Sequence, residues 1–251
     1  MPATTLFHTD KHENLLLEDF GHGQMVQANQ HLIVHGKAAI ILDPGGHRVL
    51  AKALSDLRPL LGKAELKYIF LSHQDPDIVA AINGWLMHTD ATAYISALWS
   101  RFLPHLGIDG QVSDRLLSIP DEGMRLDLDG AELLLVPAHF LHSPGNFQVY
   151  DPLAKVLYTG DLGASLGTDE TVVADFDRHV AFMEGFHKRY MASGKALRAW
   201  ARLARTLDVE IIAPQHGAMF RGRDMVARFI SWTENLACGV DLLSDAYTLP
   251  Q

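Results

Sequence analysis

Apolar residues fall along this chain in two rhythms, and the change from one to the other predicts its elements. "QHLIVHGKAAIILDPGG" carries two short apolar, β-branched runs, 31–35 and 38–43, joined at Gly36 and Lys37 and closed by Pro44-Gly45-Gly46. Such runs around a glycine-containing turn read as a β-hairpin. Leu50, Leu54, Leu57, Leu60 and Leu61 then recur at the spacing of one helix face. A strand over 67–71 follows, then a helix from Ile78 to His88, a short strand at "ATAYIS", and a short helix in "ALWSRFLPHLG" broken around Pro104. Between Arg115 and Asp151 the segments "RLLSIP", "MRLDL", "AELLLVPA" and "NFQVYD" read as strands, and "AKVLYTGD" adds another. Helix dominates from Asp175 to Asp208, "VEIIAPQHG" is a strand ending at a histidine, and a last helix covers Arg223 to Leu243.

This order (β-rich, α, β-rich, α) permits an α/β sandwich or a doubly wound sheet, and the pattern does not choose between them. No linker, low-complexity tract or fixed-period repeat interrupts it, so residues 1–251 read as a single domain. A hydrophobic content of 48% is ample for one sizeable core. No run approaches the roughly 18 apolar residues of a membrane span. The N-terminus, "MPATTLFHTDKHENLLLEDF", lacks the basic and apolar regions of a signal peptide. Cys238 is the sole cysteine, which excludes an internal disulfide and a thiolate metal cluster, and the cytoplasm is the expected compartment. Net charge is −9, and the richest basic stretch, "HKRYMASGKALRAWARLARTLD", spaces its cations along a helix as a solvated face does. Nucleic acid is therefore not an expected partner.

The chemistry sits where strands run out. In "YIFLSHQDPDIVAAINGW" an apolar strand stops at Ser72 and is followed by His73, Asp75 and Asp77 on alternate positions. Three further segments repeat this pattern: "LLLVPAHFLHSPGNF" supplies His139 and His142, "KVLYTGDLGAS" supplies Asp161, and "EIIAPQHGAMF" supplies His216. Strand ends on one sheet edge converge, so loops there build sites on a rigid scaffold. Each piece alone is weak: a lone strand-end histidine is more often structural, and "DPD" and "TGD" are ordinary turn chemistry. Four such pieces in one chain point to a metal site.

The order His73-x-Asp75-x-Asp77, His142, Asp161, His216 resembles the metallo-β-lactamase fold superfamily, and within it the flavodiiron proteins and the stand-alone oxygen-binding diiron proteins. The matching text is "HQDPDI", "HSPGNF", "YTGDLG" and "APQHG", with "QANQHLIVHGKAAIILDPGG" similar to the family's opening hairpin. The resemblance implies an αββα sandwich with a binuclear site. It assigns His73, Asp75 and His142 to one metal and Asp77 and His216 to the other, with Asp161 bridging; His139 competes with His142. Two positions depart from the pattern. Asp75 stands where flavodiiron proteins carry glutamate and hydrolases histidine, and Ile78 stands at the motif's final histidine.

Three histidines with three aspartates suit iron or manganese better than zinc, which favours nitrogen and sulfur ligands, although zinc would still enter such a site. The resemblance then implies one of two functions. The first is a non-haem diiron protein that binds or reduces O2 or another small diatomic ligand, as a sensor or as an oxidoreductase. No flavodoxin domain is expected, so turnover would need an external reductase. The second is a binuclear metallohydrolase using Zn, Mn or Fe. The losses at positions 75 and 78 favour the first and leave enzymatic status open. Tyr190, in "FHKRYM", is expected beside the irons or, equally, in the core, with His187 one turn away. Trp85, Trp99, Phe102 and Phe147 are expected in the core, and the family's habit is a homodimer.

Overall fold

The computed structural model describes residues 3–17, 25–244, 247 and 249. Its first half contains β1 (Ala3–His8), β2 (His12–Leu17), β3 (His31–His35), β4 (Ala38–Leu42), α1 (Leu50–Leu61), β5 (Glu65–Phe70), α2 (Pro76–Val79), α3 (Ile82–His88), β6 (Thr92–Ser96), α4 (Ala97–Ser100) and β7 (Leu116–Ile119). Strands β1 to β7 form one seven-stranded sheet in sequence order. The second half contains β8 (Met124–Leu128), β9 (Ala131–Pro137), β10 (Phe147–Asp151), β11 (Val156–Gly160), α5 (Phe176–Tyr190), α6 (Gly194–Ala204), β12 (Ile211–Pro214), β13 (Phe220–Arg221) and α7 (Arg223–Asn235). Its six strands form a second sheet in the order β13-β12-β11-β10-β9-β8.

Three apolar layers make this an αββα sandwich. Ile40, Leu42, Phe70, Leu133, Leu135, Phe147 and Val149 pack between the sheets. Ala39, Ile41 and Ile69 point the other way, onto Ala53 and Leu57 of α1 and Ile82 and Trp85 of α3. Leu157 and Ile212 likewise meet Met183 of α5, Leu197 and Trp200 of α6 and Phe229 of α7. Alternate residues of one strand thus enter different layers, and both are apolar. This is why β4 reads as an unbroken apolar run.

Strand directions place the ligand loops together. β4, β5 and β6 are parallel, so β5 delivers residues 71–77 to one edge of its sheet. β11 and β12 are also parallel and deliver Asp161 and His216. β9 and β11 are both antiparallel to β10, so the β9–β10 loop carrying His142 leaves the sheet at that same edge. A backbone bond from Phe147 N–H to the Ser72 carbonyl, 3.0 Å, joins the two edges.

Several segments differ from expectation. The β1–β2 hairpin and the two-residue β13 carry no strong sequence signal and are held by pairing to neighbouring strands. The helix expected from Ile78 to His88 is two helices, α2 and α3, with Ala80 and Ala81 between them. The last helix stops at Asn235, because the following segment turns back onto the α5–α6 connection. There Gly239 N–H bonds the Lys188 carbonyl at 2.9 Å, and at φ 53° a side chain would collide with the Met191 and Ala192 carbonyls. Trp85 and Phe147 are core residues as expected, but Phe102 is exposed and Trp99 half-buried, since the short α4 lies on the surface. Among the described residues no helix is long and apolar enough to cross a membrane.

Candidate metal centre

Each ligand-type side chain owes its direction to local backbone. His73 follows β5 directly, and Asp75 is the extended residue before α2, whose first position is Pro76, a residue pre-set for a helix start. The extended-to-helical change lets Asp75 and Asp77 face different partners. Asp75 Oδ2 lies 3.6 Å from His73 Nε2 and 3.4 Å from His142 Nε2, whereas Asp77 Oδ2 lies 3.4 Å from His216 Nε2. Asp161 sits between the two groups. Its Oδ2 is 2.9 Å from His142 Nε2 and 3.6 Å from His73 Nε2, and its Oδ1 is 3.4 Å from His216 Nε2. Donor atoms of His73, Asp75, His142 and Asp161 all lie within 4.8 Å of one another.

Groups behind these side chains set which nitrogen faces inward. Ser72 Oγ is 2.9 Å from His73 Nδ1, and the Gln27 carbonyl accepts from His216 Nδ1. Each ring therefore turns Nε2 toward the cluster, as an orienting partner does for a metal-binding histidine. Buried Asp43 accepts the Ser72 N–H at 2.8 Å and fixes the loop start. Gly217, next to His216, has φ 76°, and a β-carbon there would meet the Ser165 carbonyl at 2.3 Å. Only glycine lets this loop close.

The electrostatics match a site built for cations. Burial works against the charged imidazoles, but bonds to Asp161 and Asp75 outweigh it and push His142 up to about 9. Burial and the neighbouring Asp161 carboxylate act likewise on His216, also about 9. Asp161 is held far below the ordinary carboxylate range: burial would raise it, and His142 and His216 overcome that. Asp75 is lowered by His142 and His73, and Asp77 is raised by burial. Protons on the histidines thus stand where metal cations would. Among the described residues, His73 Nε2 and Asp161 Oδ1 are buried without a hydrogen-bond partner, and both face the cluster. Leaving such atoms unpaired is costly, and a metal ion would satisfy them. The residues present fit a two-metal group.

The other candidates take different places. His139 Nε2 bonds the Asp121 carbonyl at 2.9 Å, apart from the cluster. His187 accepts the Gly163 N–H at 2.9 Å, donates to the Met183 carbonyl and is lowered by burial to about 4, so it is a neutral structural residue. Tyr190 is 55% exposed, stacks on Phe186 and brings its ring to 5.6 Å from that of His142. Ile78 is fully buried with α3 and the first sheet and offers no donor. Sequence reading missed Ser72, Gln74, Asp43, Ser143 and Gln27. Ser72, Gln74 and Ser143 adjoin ligand-type residues in the chain, but nothing local marks Gln27, which reaches His216 across 189 positions.

A family model described as "ODP family beta lactamase" matches residues 26–217. The chain belongs to the ODP family. It is similar to a chemotaxis sensor ODP whose structure is described as a peroxy diiron species, with 37% identity, a TM-score of 0.86, and 96% of this chain and 98% of that one covered. The chemotaxis sensor ODP of T. denticola in its apo state gives 38% identity, a TM-score of 0.85, and coverage of 96% and 97%. Diflavin flavoprotein A 1 of Synechocystis sp. is 24% identical over 230 residues, which is 86% of this chain and 38% of that protein. This ODP-family chain therefore spans well under half the length of the flavoprotein relatives it matches.

Proposed function

We propose that this chain is a non-haem diiron protein that binds O2 and acts as an oxygen sensor. The observation that carries the reading is Asp161, whose two oxygens face two separate donor groups. His73, Asp75 and His142 would hold one ion and Asp77 and His216 the other, with Asp161 shared. Bound ferrous ions would supply electrons and open coordination positions for a diatomic gas. The chain's own residues prepare the site: Ser72 and Gln27 hold the imidazoles of His73 and His216 in one orientation, and Asp161 supplies buried negative charge. Asp75 and Asp77 keep the mouth partly open, their side chains 35% and 41% exposed. Tyr190 lies beside His142, its ring 5.6 Å away and tilted 60° to the imidazole.

Carboxylates at positions 75, 77 and 161 favour iron over zinc hydrolysis chemistry. Similarity to a chemotaxis sensor along nearly the whole of both chains supports sensing over sustained turnover. The reading includes a cytoplasmic homodimer whose irons are re-reduced by a separate electron-donor protein. Protein purified without air, loaded with ferrous iron and exposed to O2 should change its visible absorption within seconds. It should consume O2 only in proportion to protein unless a reductant is added. Zinc-loaded protein should hydrolyse esters, β-lactams and phosphodiesters negligibly. Efficient hydrolysis, with no spectral response of the iron form, would replace this reading with the metallohydrolase one.

A further inference from the structure

Four side chains from three segments form one directed series of hydrogen bonds that ends on a ligand. The indole N–H of Trp99, a residue of the surface helix α4, donates to Ser143 Oγ at 3.0 Å. Ser143 is buried, also accepts the Gly145 N–H at 3.3 Å, and donates its hydroxyl to Gln74 Oε1 at 2.6 Å. Gln74 Nε2 then donates to Asp75 Oδ1 at 2.9 Å. The direction is fixed by chemistry. An indole nitrogen only donates, so the hydroxyl hydrogen must go to the Gln74 carbonyl, and the amide N–H groups must face the carboxylate. Turning the amide over would set oxygen against oxygen at Asp75.

Gln74 adjoins Asp75 and Ser143 adjoins His142, so the series ties together the two loops that form one half of the centre. It also occupies Asp75 Oδ1 and leaves Oδ2 facing His73 and His142. We propose that Gln74, Ser143 and Trp99 are positioning residues that hold the short Asp75 carboxylate to one-oxygen ligation of the first ion and set its separation from His142. The proposal rests on the reading that Asp75 and His142 hold that ion. It gives the aspartate at position 75 a structural counterpart: the carboxylate is held from behind by an amide anchored in the opposite loop.

Titration of the metal-stripped full chain with Co2+ alone, followed by visible absorption, separates two binding steps, and Asp75→Ala identifies the first. Gln74→Leu and Ser143→Ala should each weaken that step about ten- to a hundredfold, as removal of a partner behind a ligand does. The second step should stay within about twofold. The double variant should be no weaker than Gln74→Leu alone, because the two residues act in one series. Trp99→Phe keeps an aromatic ring, removes only the donor and should weaken the first step less; it carries the test if Ser143→Ala misfolds. Additive losses, equal weakening of both steps, or unchanged affinity in variants of a chain that still binds two ions would overturn the positioning role. A wild-type chain that takes up no Co2+ would overturn the ligand reading itself.

Discussion

The two halves of the centre are built to different standards. On one side His73, Asp75 and His142 meet Asp161 in a tight group, with Ser72 behind His73 and Gln74 behind Asp75. On the other, Asp77 and His216 share the remaining oxygen of Asp161, and Asp77 is 41% exposed, with its Oδ2 reached by Gln215 Nε2 at a long 3.3 Å. The fourth donor that a fuller motif would supply is Ile78, turned into the core. Affinity follows the number and rigidity of donors, so the first half should hold its ion and the second should exchange. Under the proposed function this asymmetry would serve gas binding: one ion would anchor the site and the other would keep room for a ligand.

The harshest test of the comparison is Asp161→Ala. If that carboxylate serves both halves, its loss should lower affinity for both ions more than a hundredfold, and metal analysis should find neither. Loss of one ion alone would assign Asp161 to one half. His216→Ala should remove the second ion and leave about one equivalent bound, whereas His73→Ala should empty the first half. Equal, mild losses in the two variants would erase the distinction.

Proton release provides a gentler test. Metal must displace the protons that the carboxylates hold on the histidines. His142 and His216, each at about 9, contribute one to each half, and His73, raised by Asp75 and Asp161 against the effect of burial, contributes another to the first. Below about pH 9 the affinity of each half should fall as pH falls, about tenfold per unit for each proton displaced, and more steeply for the first half. The metal-free fold should behave in the opposite sense. Its histidine–carboxylate pairs stabilise fully below histidine's ordinary 6.5 and above aspartate's ordinary 3.8. That stability is lost as pH rises through about 9, and again in strong acid as the depressed carboxylates protonate. Melting temperatures of metal-stripped protein against pH check this, and a profile that rises from pH 7 to 10 would contradict it.

Ile78→His is the smallest expected effect and the most informative about design. A histidine there would tighten the second ion by about tenfold and slow O2 binding in stopped-flow, provided the side chain leaves the core. Unchanged affinity with a lower melting temperature would show that position 78 serves packing alone.

Much of this was legible in the chain. Apolar periodicity marked the β3–β4 hairpin, α1 and the central strands, because residues that enter two apolar layers leave an unmistakable run. His73, Asp75, Asp77, His142, Asp161 and His216 stood out because each follows a strand whose end the sequence itself marks. What failed did so for tertiary reasons. The β1–β2 hairpin exists through pairing with β3, α7 ends early because Gly239 docks on the α5–α6 connection, and Phe102 is exposed because α4 lies on the surface. Residue types and their order along the chain determined the chemistry available: three imidazoles, three carboxylates and no thiolate beside them. Only the tertiary structure decided that Asp161 faces both groups, that His139 turns to the Asp121 carbonyl, and that Gln27 and Ser143 stand behind the clustered side chains. Those facts depend on strand direction and loop closure between residues far apart in sequence, and no local pattern carries that information.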